Sequence, residues 1–319
     1  MARLLPPDAA TMQQAAAALR RGELVAFPTE TVYGLGADAT SDRAVARIFE
    51  AKERPRFNPL IVHVSSMAMV LRLVQWNDLA TRLGMAFWPG PLTLVLPRKP
   101  DCPASLLCSA GLDSLAIRYP SHPAAQALLT AVGRPLAAPS ANRSGNLSPT
   151  RAEDVAESLG SAVDIVIDDG PCKLGLESTV VDLTGPVPAV LRPGAITSEA
   201  LAQRIGSLTA ADGGTADMPR RSPGQLESHY APRKKLRTGA TEVAPDEALL
   251  AFGSMPLPGA RVVLNLSARG DLGEAAANLF AMLRDLDRTD ARAIAVMPIP
   301  ERALGEAIND RLRRASAPR

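Results

Sequence analysis

Two strand-like runs, Thr179-Val180-Val181-Asp182-Leu183 and Ala189-Val190-Leu191-Arg192, stand only a turn apart. A parallel neighbour in a sheet needs a crossover of a dozen or more residues. This chain therefore cannot be a regular alternation of strand and helix, and a mixed sheet is expected. Further apolar runs at 23–27, 60–64, 92–96, 115–118, 136–138 and 164–168 supply strands. Helical spacing and capping residues predict helices over 8–21, 41–52, 66–75, 77–86 and 123–132. Thr150-Arg151-Ala152-Glu153 fits a capping box that opens another.

Composition shifts after Ile205. Residues 206–224 are rich in glycine and proline and read as a linker. Beyond it, strands at 249–252, 261–266 and 293–297 and helices at 272–286 and 302–315 make a second, small α/β unit. The expected organisation is a first domain over 1–205, a linker with an embedded stiff segment over 206–238, and a small Rossmann-like domain over 239–319. Aromatics are 3% of residues against 46% hydrophobic, so the cores must be aliphatic and rich in alanine.

Charge and cysteine usage narrow the function classes. With 35 basic and 33 acidic residues the net charge is +2, unlike a protein that coats nucleic acid. Cys102, Cys108 and Cys172 have no CxxC spacing and no nearby histidine, so reduced thiols in a reducing compartment are expected. No run approaches the ~20 apolar residues of a membrane span, and the first residues lack a signal-peptide core. A cytoplasmic protein is the expectation.

Five segments carry chemistry. Gly34-Leu35-Gly36-Ala37-Asp38-Ala39 fits a dinucleotide fingerprint, but six residues separate it from its strand, so its glycines are read as a tight turn with close backbone approach. In Lys52-Glu53-Arg54-Pro55-Arg56-Phe57-Asn58-Pro59 the prolines push Arg54 and Asn58 out of the helical region. An extended chain would point Lys52 and Arg54 the same way, as an anion clamp for a polyphosphate. A solvated helix end is the equal alternative. Pro139-Ser140-Ala141-Asn142 through Ser148 and Thr150 crowds polar groups after a strand's carboxyl end, where α/β sheets bind ligands, although taken alone the segment reads first as an ordinary polar loop. Arg118 ends the apolar strand from Ser114 and needs an anionic partner, either a structural acid or a substrate carboxylate. Ser222-Pro223-Gly224-Gln225-Leu226-Glu227-Ser228-His229-Tyr230-Ala231-Pro232 is a stiff segment suited to a lid, or to a packed spacer. His63 ends its own strand and reads either as a core histidine or as a pocket residue.

Taken in order, these segments are more specific than any one alone. Pro28-Thr29-Glu30-Thr31-Val32-Tyr33-Gly34-Leu35-Gly36, Lys52-Glu53-Arg54, Asn58-Pro59-Leu60, Trp88-Pro89-Gly90-Pro91-Leu92-Thr93, Ser140-Ala141-Asn142, Glu177-Ser178-Thr179-Val180 and Leu191-Arg192-Pro193-Gly194 closely resemble the threonylcarbamoyl-adenylate synthase family, the YrdC-like enzymes. The linker and second unit resemble that family's long form. The resemblance implies a twisted mixed sheet with a concave basic surface. It implies a cytoplasmic nucleotidyltransferase that makes threonylcarbamoyl-AMP and pyrophosphate from L-threonine, bicarbonate or CO2, and ATP with Mg2+. The product feeds threonylcarbamoyladenosine modification of tRNA through a downstream transfer machinery.

The resemblance also implies roles. Thr31, His63, Arg118 and Ser178 line the threonine site, with Arg118 on the carboxylate. Arg54, Asn58, Ser114, Ser140, Ser148 and Arg192 hold ATP, Lys52 and Asn142 act near the phosphates, and Tyr230 comes from the lid. Lys52 and Arg54 are the catalytic pair. Ala138 and Gln225 depart from the family's pattern, so Ala138 has at most a backbone role. The rival functions are an RNA-binding module without chemistry, which few aromatics and near-neutral charge disfavour, and a carbamoyltransferase handling carbamoyl-adenylates, disfavoured by the lack of zinc-finger-like cysteine pairs.

Overall fold

The computed structural model describes residues 2–55, 57–210 and 228–318. Among them the first domain has strands β1 (Arg3–Leu5), β2 (Val25–Phe27), β3 (Gly34–Asp38), β4 (Ile61–His63), β5 (Leu92–Pro97), β6 (Ser114–Arg118), β7 (Leu136–Ala137), β8 (Ile165–Ile167), β9 (Thr179–Asp182), β10 (Ala189–Arg192) and β11 (Thr209–Ala210). They form one sheet in the order β1-β8-β2-β3-β7-β4-β6-β5-β9-β10-β11. Pairing is mixed, as the spacing of the 179–182 and 189–192 runs requires: β9 and β10 are antiparallel, while β4 and β6, like β5 and β9, are parallel. Helices α1 (Ala9–Arg20), α2 (Asp42–Lys52), α3 (Met67–Leu73), α4 (Asp78–Phe87), α5 (Pro123–Val132), α6 (Ala152–Leu159) and α7 (Ser198–Ile205) complete this domain.

Local sequence explains most boundaries. Ser41 caps α2 by accepting from the Ala44 amide, and Asp8 caps α1 by accepting from the Thr11 amide at 2.8 Å. The start of α6 differs from the expected capping box. Asp154, not Glu153, reaches back, and its Oδ2 accepts from the amides of Thr150 and Arg151. The glycines at 34 and 36 lie in β3 rather than in a turn. Their close approach is real, since a Cβ on Gly36 would stand 2.8 Å from the Phe27 ring.

The second domain is a four-stranded parallel sheet, β12 (Lys235–Arg237), β13 (Glu247–Ala251), β14 (Val262–Asn265) and β15 (Ala293–Val296), in the order β12-β15-β13-β14. Helices α8 (Leu272–Arg288) and α9 (Leu304–Ser316) pack with it. Its first strand falls at 235–237, inside the segment read from sequence as linker, because Leu236 buries an apolar side chain between two exposed basic neighbours. The domains share a core. Val32, Leu147 and Leu176 of the first domain join Tyr230, Leu279, Phe280 and Ile308 in one buried cluster. Gly175, at φ +65°, packs directly on α8, where a Cβ would meet the Ala276 carbonyl at 2.5 Å.

Candidate active site

The parallel pair β4 and β6 sets the site's frame. Their register places His63 opposite Arg118 and Ile61 opposite Ala116, with successive side chains on alternate faces. His63 and Arg118 therefore share a face at the carboxyl ends of two strands. Thr93 of β5 lies opposite Arg118 on the other side. Ile61, Val95, Ala116 and Val180 form a small apolar patch between the strands. Asn58 and Ser114 lie toward the opposite, amino-terminal ends, so Ser114 is about 13 Å along the strand from Arg118.

Thr31, Arg54, His63, Arg118, Ser140, Ser178, Arg192 and Tyr230 line one cavity, together with Val32, Ile61, Ala138, Pro139, Glu177 and His229. Lys52, Asn58, Ser114, Asn142 and Ser148 are not among its lining residues. Arg118 donates from Nη1 to Thr31 Oγ1 at 2.8 Å and its Nη2 lies 2.7 Å from Glu30 Oε1. The structural acid anticipated for Arg118 is thus present, in the residue next to Thr31. Burial alone would raise the Glu30 carboxyl, but Arg118 beside it holds it below the usual carboxylate range.

His63 is buried, and burial first and then the charge of Arg118 push it down to about 3. It is neutral at physiological pH. Its Nδ1 lies 3.3 Å from the Ile61 carbonyl, so Nδ1 carries the proton and Nε2 is left as an acceptor. Ser178 Oγ lies 2.7 Å from Thr93 Oγ1. Arg192 donates from Nε and Nη2 to the Ser178 carbonyl at 3.2 and 2.9 Å, and from Nη2 to Ser178 Oγ at 3.1 Å. Gly194 permits this crossing, since a Cβ there would stand 2.5 Å from the Glu177 carbonyl oxygen.

Arg54 donates from Nε to the Asn58 carbonyl at 3.2 Å and from Nη2 to the Pro59 carbonyl at 2.9 Å. Burial pushes it down to about 10, so it still carries its charge at neutral pH. The Asn58 side chain is buried with neither amide atom hydrogen-bonded, and Asn142 Oδ1 is likewise unpartnered. Buried polar groups left open in this way are costly unless a ligand meets them.

Lys52 corrects the anticipated clamp. It is the last residue of α2, and Glu53 caps the helix in the left-handed conformation at φ 51°. The chain therefore does not run extended from 52 to 54, although the two cations still stand close enough for Arg54 to act on the Lys52 ammonium. Lys52 is buried and donates to the carbonyls of Ser140, at 2.5 Å, and Asn142. Burial, and then the charge of Arg54, push its ammonium well below the ordinary lysine value. It braces the 140–142 loop from behind the cavity. Ser148 is similarly engaged, donating to Glu177 Oε1 at 2.6 Å.

The stiff segment is described from Ser228 onward. Ser222 to Glu227, including Gln225, lie outside the described residues, as does Arg56. His229 and Tyr230 line the cavity, whose volume is about 50 Å3. Tyr230 packs on Phe280 at 5.6 Å between ring centroids, and the Ala231 amide donates to the Gly145 carbonyl. Glu30, Thr93, Glu177 and Arg311 belong to the site or its frame without having been given a role from sequence. Glu30 and Glu177 stand next to residues that were; Arg311 carries no sequence signal, being one charge among several on α9.

Two family models cover most of the chain. One, described as "Telomere recombination", matches residues 17–194, and one described as "Threonylcarbamoyl-AMP synthase, C-terminal domain" matches 196–317. The threonylcarbamoyl-AMP synthase of Bacillus subtilis is 41% identical over 96% of this chain and 93% of its own length.

The chain belongs to the threonylcarbamoyl-AMP synthase family.

That of Pyrococcus abyssi is 42% identical over 95% of this chain and 93% of its own. The crystal structure of P. abyssi Sua5 complexed with L-threonine superposes with a TM-score of 0.90 at 37% identity, covering 99% of this chain and 97% of that one. Both domains of this family member are thus matched as one arrangement.

Proposed function

We propose that this chain forms threonylcarbamoyl-AMP and pyrophosphate from L-threonine, bicarbonate or CO2, and ATP. The observation that carries the reading is one cavity that gathers three buried arginines, a neutral histidine and paired hydroxyls. Beside it lie the buried Asn58 amide and Asn142 Oδ1, which have no protein partner. The solved relative holds L-threonine. Here the zwitterion fits the end formed by Thr31, His63, Arg118 and Ser178. Its carboxylate meets Arg118, sharing that guanidinium with Glu30, and its ammonium or hydroxyl donates to His63 Nε2.

ATP extends from Arg54 and Arg192 toward Asn58, along the apolar patch and β6, which begins at Ser114. Threonine's amine captures CO2 as a carbamate. A carbamate oxygen attacks the α-phosphorus, the bond to the bridging oxygen breaks, and pyrophosphate leaves. No protein nucleophile is needed, and the protein's task is positioning and charge neutralisation. Mg2+ enters with ATP as part of the substrate. It would be carried on the phosphate oxygens with several of its waters, as is usual for this ion.

A cavity of about 50 Å3 is far smaller than the several hundred Å3 of a nucleotide site. Residues 228–232 therefore withdraw to admit ATP and return over it, which protects a labile carbamate from water. The adenylate then passes to a transfer machinery acting on tRNA in the cytoplasm. The deciding experiment incubates the protein with ATP, threonine and bicarbonate. Threonine-dependent pyrophosphate supports the reading, and its absence removes it.

A further inference from the structure

Glu177 is, among the described residues, the carboxylate that lines the cavity meant for a polyanion. Left alone it would repel the phosphates that Arg54 and Arg192 attract. It is not left alone. Arg311, from α9 of the second domain, donates from Nε to Glu177 Oε2 at 2.8 Å with its side chain fully buried. Arg311 also donates from Nη2 to the Pro193 carbonyl at 2.9 Å, lies 2.5 Å from Asp310 Oδ2, and stacks 5.1 Å above the Tyr230 ring. The other oxygen of Glu177 accepts from Ser148. A hydrogen-bonded chain Arg311–Glu177–Ser148 thus crosses from the second domain to the loop beside the nucleotide site.

We propose that Arg311 is a positioning residue whose charge masks Glu177, so that ATP phosphates can settle beside Arg192 and Arg54. The proposal rests on the synthase reading for the identity of the ligand. It assigns the second domain a role at the site that needs no contact with substrate. A polyanion feels an unmasked Glu177 strongly, whereas zwitterionic threonine carries no net charge and feels it little. A purely mechanical brace would not make that distinction, nor would it be rescued by removing the charge on Glu177.

The test measures ATP and threonine binding separately by calorimetry on the full chain. Arg311→Met is expected to weaken ATP binding at least tenfold and threonine binding less than threefold. Arg311→Lys, which keeps the charge, is expected to stay within threefold of the unaltered protein for ATP. In Glu177→Gln/Arg311→Met, ATP binding is expected to recover at least fivefold over Arg311→Met. Unchanged ATP affinity in Arg311→Met, or no recovery in the double variant, overturns the proposal. Should Arg311→Met not fold, a tenfold loss of ATP affinity in a folded Arg311→Lys overturns it, and near-normal affinity supports it. An unaltered protein that binds ATP but releases no threonine-dependent pyrophosphate would defeat the reaction assigned above and leave the masking intact. Normal turnover with ATP affinity unaffected by Arg311→Met would do the reverse.

Discussion

The ammonium of Lys52 donates to the carbonyl of Ser140 at 2.5 Å, joining the last residue of α2 to the loop that follows β7. Its second acceptor is the Asn142 carbonyl, and the Ser144 amide returns a bond to the Lys52 carbonyl at 2.9 Å. Lys52 is thus a brace for the polar loop. Lys52→Met removes the charged donor from the Asn142 carbonyl and one of two donors from the Ser140 carbonyl, which keeps the Asn142 amide at 3.0 Å, at a cost of about 2–3 kcal/mol. The expected result is a melting midpoint lower by about 5 °C or more, together with weaker ATP binding. An unchanged midpoint alongside lost turnover would return Lys52 to direct chemistry.

Arg54 and Arg192 separate by what else they hold. Arg54 is tied to the Asn58 and Pro59 carbonyls, whereas Arg192 is tied to Ser178, which belongs to the threonine end. Arg54→Ala is expected to raise KM for ATP at least tenfold and leave KM for threonine within threefold. Arg192→Ala is expected to raise both. Steady-state kinetics with each substrate varied in turn checks this, and identical profiles for the two variants would count against it.

Acid should weaken the fold earlier than carboxylate titration alone explains. Burial pushes both His63 and His229 from 6.5 to about 3. Each stays neutral in the folded chain and takes a proton only on unfolding. Their contribution is fully present above pH 6.5 and is lost as pH falls toward 3. The expected slope is about 1.4 kcal/mol per pH unit for each group. Urea unfolding between pH 6.5 and 5 reads it above the main carboxylate range, and His63→Asn or His229→Asn should each remove about a third to a half of the slope, since burial also holds His122 below its ordinary value.

Gly175 tests the shared core. It has a left-handed φ, and a Cβ there meets backbone atoms of Ala276 and Ala277 within 2.6 Å. Neither backbone can yield as a flexible side chain would. Gly175→Ala is expected to cost more than 2 kcal/mol and to loosen the second domain against the first. Hydrogen exchange should show faster exchange along α8 while α1 and α5 stay protected.

Much of this was readable from residue order. The bounds of α2 and α5 follow from Ser41, Pro123 and Gly133, whose local chemistry tertiary contacts do not override. The run Ile61–His63 and the polar end of β6 place His63 and Arg118 correctly once strand pairing is known. Pairing itself depends on residues far apart, so the register was not readable. β3 escaped because Gly34 and Gly36 resemble turn residues, and their place in a strand is decided by the Phe27 ring. The extended run expected from Lys52 to Arg54 failed on one left-handed residue, Glu53, that pattern alone does not reveal. Arg311 looks like any surface charge on a basic helix, since its burial comes from a domain contact.

The parallel pairing of Arg3–Leu5 with Ile165–Ile167 has a kinetic consequence. The large sheet closes its first edge only when residues more than a hundred positions apart meet, and the site draws on Thr31, His63, Arg118, Ser178 and Arg192, which are as widely separated along the chain. Chains dominated by such distant contacts fold slowly, because loop closure is costly before any contact rewards it. During synthesis β1 and α1 leave the ribosome long before β8 exists to pair with them. The pocket is therefore among the last things the chain builds, and the early strands depend on a protected wait.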